Sequence, residues 1–209
     1  MHQHTWLRTS LLSLLALSLE FHSPAAELEP FKAYAPSRNG EELLVFQVTP
    51  AKEDKFPYAE LRLINSIALS FPARTVTQHP TKPLLYLTGG SNKSKDTNFG
   101  MRKLDPETNE DAGGMTATLP RSYSYLSVDA TGGFLLGCDY GGGIVDIYQL
   151  LENGMPDPDP IATLDEGRKA AHCVLLSPDN RHFYIPYVKD SNALFQYEFD
   201  SATGKPTAL

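Results

Sequence analysis

Downstream of the first thirty residues, apolar positions come in short runs separated by turn formers. No stretch of eleven or more residues keeps a helical period. The clearest unit is a turn, Ser177-Pro178-Asp179-Asn180-Arg181, followed by an apolar strand His182-Phe183-Tyr184-Ile185-Pro186-Tyr187. A gap and a second strand, Ala193 to Phe199, complete it, closed by Asp200. The pattern recurs upstream. Asp129-Ala130-Thr131-Gly132-Gly133 precedes Phe134 to Cys138, and Ile144 to Leu150 follows. Earlier still, His79-Pro80-Thr81-Lys82-Pro83 precedes Leu84 to Leu87, and Phe99 to Leu104 follows. From Pro80 to Ala130 is 50 residues, and from Ala130 to Pro178 is 48. A period of that size, carried by short strands with Gly, Pro, Asp and Asn between them, is what the blades of a β-propeller produce. The predicted fold is therefore all-β: four-stranded antiparallel blades, about four of them, corresponding to part of a seven-bladed propeller.

Blade boundaries follow from the repeat. Blade two runs from about 73 to 119, blade three from 123 to 164, and blade four from 170 to the last residue, 209. Residues 31–36 and 42–48 read as two strands around the turn Ser37-Arg38-Asn39-Gly40, with 60–65 as a third. They match the later units without their first strand. The polar loop 50–58 stretches the first repeat. The segment 153–160, rich in Pro and Asp, reads as a surface loop, and the last six residues stop where a fourth outer strand is due to start.

Arg8, the apolar run Leu11 to Leu19 and the small residues Ser23-Pro24-Ala25-Ala26 form the three parts of a secretory signal. Nine apolar residues are too few to span a bilayer as a helix, which takes roughly 20. The expected organisation is a signal peptide over 1–26 and one incomplete propeller domain over 27–209, exported to the periplasm or beyond. No later segment is apolar enough to cross a membrane. A net charge of -7 is the wrong sign for a nucleic-acid surface. No spacing argues for a metal, and no cofactor is expected. The two cysteines, Cys138 and Cys173, fall in apparent inner strands of different blades, where small buried thiols are common, and are not expected to pair.

Three stretches resemble the seven-bladed lactonase family, which includes bacterial 6-phosphogluconolactonase and fungal carboxy-muconate lactonising enzyme. One is Lys169-Ala170-Ala171-His172, an apolar residue and then Ser177-Pro178-Asp179. Another is Phe183-Tyr184-Ile185-Pro186 with Asn192 through Lys205. The third is Ser127 to Gly132 leading to Asp139-Tyr140-Gly141-Gly142-Gly143. The spacing from Lys to His is longer here by one Ala than is usual in the family. Family members carry about three further blades, holding a Gly-Pro-Arg-His stretch and an acidic residue. The resemblance thus implies that catalysis draws on further blades or on a partner surface. WD-repeat propellers fit less well, since the only Trp is Trp6.

The resemblance implies hydrolysis of a sugar lactone such as 6-phosphogluconolactone. That chemistry takes a general base for water and a positive or N–H partner for the oxyanion. His172 matches the family's active-site histidine; the alternative is a half-buried His satisfying backbone groups. Arg168 and Lys169 either hold a phosphate or carboxylate or are solvated loop charges. Tyr140, before a Gly-rich turn, either borders the ligand or caps a tight hairpin. Arg121, Tyr123 and Tyr125 are weaker candidates for lining the channel, and His79 and Asp129 read as repeated turn residues. A different class of reading is an exported, non-enzymatic propeller that binds a protein or ligand, or an inactive homologue. In either case an unpaired blade edge is expected to promote self-association.

Overall fold

The computed structural model describes residues 29–51, 58–89, 98–108, 110–189 and 192–209. The expected signal peptide and most of the 50–58 loop lie outside the described residues. Within them there is no helix. Fifteen strands follow in order: β1 Phe31–Pro36, β2 Glu42–Pro50, β3 Ala59–Ala68, β4 Ala73–Gln78, β5 Leu84–Gly89, β6 Phe99–Leu104, β7 Asp111–Ala117, β8 Tyr125–Val128, β9 Phe134–Asp139, β10 Ile144–Gln149, β11 Ala162–Asp165, β12 Leu175–Leu176, β13 His182–Tyr187, β14 Ala193–Phe199 and β15 Pro206–Ala208. They form one three-stranded and three four-stranded antiparallel sheets, each a simple meander: β1–β3, β4–β7, β8–β11 and β12–β15. These are blades one to four, and blade one lacks an inner strand, as its sequence predicts.

Short strands suffice because blades two and three are sandwiched between neighbours and blades one and four each pack on one. Every residue of β5 and β9 is buried, so these strands read as continuous apolar runs rather than alternating ones. The outer strand β7 is exposed along most of its length and tolerates Gly113 and Gly114. Three apolar cores fill the seams. Leu43, Val45, Phe71, Leu85 and Leu87 join blades one and two. Tyr86, Phe99, Tyr123, Leu135 and Tyr148 join blades two and three. Leu136, Val145, Phe183, Ile185 and Tyr197 join blades three and four. Full burial of each such side chain contributes roughly 1.5–3 kcal/mol.

The turns that enter the second strands are chained across the seams by side chains. His79 Nε2 lies 3.2 Å from the Gly132 carbonyl of the next blade. One blade further on, Asn180 donates to Asp129 Oδ2 at 3.0 Å and accepts from the Ala130 N–H at 2.9 Å. The expected turn role of His79 and Asp129 is what the structure shows. Each organises its own turn and reaches the following one.

Four local expectations need correction. Blade four does have its outer strand, three residues long, pairing Tyr197 to Ala208 and Phe199 to Pro206. The 153–160 segment is not wholly superficial: Gly154 and Met155 fold into the seam between blades two and three, where an apolar side chain gains burial. Cys138 sits in β9, the second strand of its blade, not the innermost. Cys173 lies just before β12 rather than inside a strand. Both thiols are free, as expected.

Candidate functional site

The inner strands β4, β8 and β12 are consecutive neighbours along the wall of the would-be channel. At one end of the blades, the β9–β10 hairpin of blade three meets the crossover from β11 to blade four. Tyr140 tops the hairpin, and Arg168, Lys169 and His172 lie on the crossover.

The hairpin is held together by its own turn. Asp139 is buried; its Oδ1 accepts the Gly141 N–H at 2.9 Å, and its carbonyl accepts the Gly143 N–H at 2.9 Å. Gly143 has φ +74, in the left-handed region. It packs on the Arg168 carbonyl, so the Gly-rich turn serves a close approach to the neighbouring loop.

The crossover is held at successive points. Tyr197 donates to Glu166 Oε1 at 2.5 Å. The Arg168 guanidinium lies 5.0 Å above the Phe195 ring. The Ala170 carbonyl accepts the Val188 N–H at 3.1 Å. Ala170 is buried and has φ 61, unusual for a residue with a Cβ. This left-handed residue lies within the run Lys169-Ala170-Ala171-His172 that is one Ala longer than usual. Strand pairing resumes immediately after it, at the Ala171–Tyr187 bridge. His172 is thus not in a regular strand. Its N–H donates to the Pro186 carbonyl at 2.9 Å, and the residue is exposed.

The fold brings two of the four candidates into contact. The rings of Tyr140 and His172 meet edge to face, with centroids 5.9 Å apart and planes at 78°. Tyr140 is 44% exposed, so both rings border solvent. Lys169 is exposed on the same loop, whereas Arg168 is half-buried and turned toward Phe195. Phe195 and Tyr197, which hold the crossover through Arg168 and Glu166, lie some thirty residues further along the chain, and nothing in the spacing announces them. Beside this loop the Tyr187 hydroxyl is buried without a hydrogen-bond partner among the described residues. Burial pushes it up to about 12, with Glu166 adding to the effect.

Tyr123 does not line the channel, and Arg121 is tied to a buried carboxylate. Tyr123 is buried between blades two and three and donates to Asp146 Oδ2 at 2.5 Å. Arg121 pairs with the same oxygen at 2.9 Å, and Thr163 donates to Asp146 Oδ1 at 2.6 Å. Tyr148 closes the network on Tyr123. A buried carboxylate with this many partners is a structural anchor. Tyr125 lies on the inner strand β8, half-buried against the seam between blades three and four. Among the described residues no cluster of His, Cys, Asp or Glu is arranged to hold a metal ion.

Successive four-stranded antiparallel blades with their inner strands adjacent define a β-propeller. The family follows from comparison. The model of the lactonase family, a seven-bladed β-propeller, matches residues 37–209. The chain belongs to this family. A stretch of 73 residues is 37% identical to the 6-phosphogluconolactonase of Cronobacter sakazakii, covering 35% of this chain and 21% of that protein. A stretch of 87 residues is 36% identical to the 6-phosphogluconolactonase of an Enterobacter species, covering 40% of this chain and 25% of that protein. The solved periplasmic gluconolactonase of Pseudomonas aeruginosa is similar with a TM-score of 0.60 at 14% identity, over 85% of this chain and 52% of that one. A protein from Lactobacillus plantarum gives 0.61 at 15% identity, over 86% and 53%. At such identities the structural likeness shows the fold alone. The chain spans about half the length of these solved structures, and its matches span a quarter or less of the curated relatives.

Proposed function

We propose that this chain takes part in the hydrolysis of a sugar lactone, such as 6-phosphogluconolactone, at the end of blades three and four where Tyr140 meets His172. The observation that carries the reading is that ring contact within a chain of the lactonase family. Water adds to the lactone carbonyl carbon while the His172 imidazole takes its proton, and the carbonyl π pair moves onto oxygen. The oxyanion faces the Lys169 ammonium and the Tyr140 hydroxyl. The His172 N–H is already committed to Pro186, so it does not serve as an oxyanion donor. Collapse re-forms the carbonyl and expels the ring oxygen, which takes the proton back from the imidazolium. The product is the open-chain sugar acid. Lys169, with Arg168 in the background, holds a phosphate where the substrate carries one.

The assay uses the full chain with glucono-1,5-lactone and with its 6-phospho ester. His172→Ala is expected to lower the rate by roughly 100-fold or more, the usual contribution of a general base. Lys169→Ala is expected to raise KM for the phospho ester only. Absence of hydrolysis above background once the further blades or partner surface implied by the family are supplied, or an unchanged His172→Ala variant in that form, sinks the reading.

We also propose export to the periplasm. The support is the signal-like segment ending near Ala26, together with the likeness to a periplasmic gluconolactonase. A native protein whose N-terminal residue lies upstream of residue 25 counts against it.

A further inference from the structure

At the opposite end of the blades, a cleft of about 410 Å³ opens between blades one and two. It lies among the first residues of β1 and β5 and the ends of β4 and β6, whereas the Tyr140–His172 contact lies past the end of β9. The repeat explains why the cleft exists. Tyr34, Tyr86 and Leu136 occupy corresponding places in the second strands of their repeats, each packed into the seam toward the next blade. Two residues before them stand Lys32, Leu84 and Phe134. Leu84 and Phe134 are buried. Each is covered by the turn between the third and fourth strands of the next blade. A Cβ on Gly154 would lie 2.7 Å from Leu84, and one on Gly204 2.5 Å from Phe134. In the first seam Lys32 replaces the apolar residue. Its ammonium donates to the Pro106 carbonyl of the corresponding turn at 3.3 Å, and the seam stays open as a cleft.

The lining is mixed in a chemically specific way. The Gln78 carboxamide and the Tyr34 hydroxyl make no hydrogen bond among the described residues and border the cleft. Gln47 spends its N–H on the Phe31 carbonyl at 3.1 Å, leaving its oxygen as an acceptor. Burial pushes the Tyr34 phenol above its ordinary value, so it is a neutral donor. Lys32 and Asp105 both line the cleft with opposite charges, so the lining as a whole carries little net charge. Pro30, Pro83 and Leu85 supply apolar wall. The volume falls in the range of small-molecule sites, roughly 300–1,000 Å³. Donors and acceptors side by side, apolar wall for C–H faces and no net charge match one kind of ligand.

We infer that this cleft binds a neutral hydroxylated ring of monosaccharide size, separately from the His172 end. Lys32 and Gln78 grip ring hydroxyls, and the apolar wall takes the C–H face. Lys32 in place of Leu or Phe is the feature that keeps the site open.

The test is an isotope-labelled NMR titration of the full chain with D-glucose and with methyl β-D-glucopyranoside. Expected are saturable shifts for at least one sugar at Lys32, Tyr34 and Gln78. Affinity should fall about tenfold or more in Gln78→Ala, matching the loss of a good hydrogen-bonding group. Lys32→Leu should close the cleft and weaken binding at least as much, and His172→Ala should bind as the parent does. Gln78 is exposed, so its replacement leaves the fold intact. Absence of saturable binding to both sugars, shifts confined to residues 140–172, or unchanged affinity in Gln78→Ala overturns the inference. The His172→Ala result separates this site from the lactone reading, because either can fail alone.

Discussion

A Cβ on Gly143 would stand 1.8 Å from the carbonyl oxygen of Arg168. The top of blade three and the loop that carries Arg168, Lys169 and His172 are therefore in backbone contact that no other residue allows. The same device recurs at the seam between blades one and two: a Cβ on Gly40 would stand 2.4 Å from the Ala73 carbonyl at the entry to blade two. Gly143→Ala must both leave the left-handed region comfortably open to Gly and push the crossover away. The expected cost is about 1–3 kcal/mol in unfolding free energy. Any activity that depends on the Tyr140–His172 contact should fall further than stability does. Urea unfolding and the lactone assay, run together, check this.

Ala170 stores strain next to His172, because a Cβ at φ 61 is disfavoured. Ala170→Gly is expected to leave stability unchanged or raise it by up to about 1 kcal/mol, since Gly occupies this region freely. A freer loop should weaken the Tyr140–His172 contact. The measurable sign is a lower kcat with little change in Tm. A lower Tm in Ala170→Gly would contradict the assignment of strain.

The chained turns predict acid sensitivity. The His79 Nδ1 accepts the N–H groups of Thr81 and Lys82 at 3.1 and 3.0 Å, which requires the neutral ring with its proton on Nε2. Burial, joined by Lys82, accordingly lowers its pKa from the ordinary 6.5 despite the Gly132 contact. A lowered folded value means that this stability is present above about 6.5 and is lost as pH falls through the native value. For Asp129, burial alone would raise the carboxyl. Hydrogen bonds from Thr131, Asn180 and the Phe134 N–H outweigh it and hold the group below the ordinary 3.8. Its contribution is present above 3.8 and disappears at lower pH. Urea midpoints should therefore decline from pH 7 to pH 5 in the parent chain and decline less in His79→Gln. Asn180 sits at φ 57, so Asn180→Gly keeps the backbone and removes only the seam bonds. It should cost about 1–3 kcal/mol.

Asp146 is buried beneath Arg121, Tyr123 and Thr163. Removing it orphans three donors at once. Asp146→Ala should cost on the order of 3 kcal/mol, with Asp146→Asn retaining part of the network. A change below 1 kcal/mol, measured by denaturant unfolding, would show that Asp146 does not anchor this seam.

Exposed apolar faces, rather than the unpaired blade edge expected from the sequence, offer a route to self-association. On blade one, Phe31, Leu61 and Leu63 are exposed on one side of the sheet, in register with Val48 and Phe46. On blade four, Leu175 and Leu194 are exposed on the side away from blade three. They are the two halves of the kind of contact that joins the blades between them, and we propose that copies of this chain meet head to tail through them. Sedimentation velocity should show concentration-dependent association that weakens in Leu63→Ser and in Leu194→Ser. A monomer at all concentrations would exclude it.

Period and punctuation made the fold legible in the chain itself. Turn residues 50 and 48 apart, and apolar runs too short for helices, specify repeated strands, because strand length and turn chemistry are local properties. The same locality singled out Tyr140 beside its Gly-rich turn, whereas His172 stood out only through the family resemblance of its run. What they touch was not legible. Tyr140 meets His172 from another blade, Arg168 turns to Phe195, Tyr123 disappears into a seam, and Lys32 props one open. These outcomes depend on how separate sheets pack face to face, on contacts between residues tens of positions apart that no local pattern encodes. Local patterning specifies the blade and its turns, while the packing of whole sheets settles which side chains share a seam, a surface or a cleft.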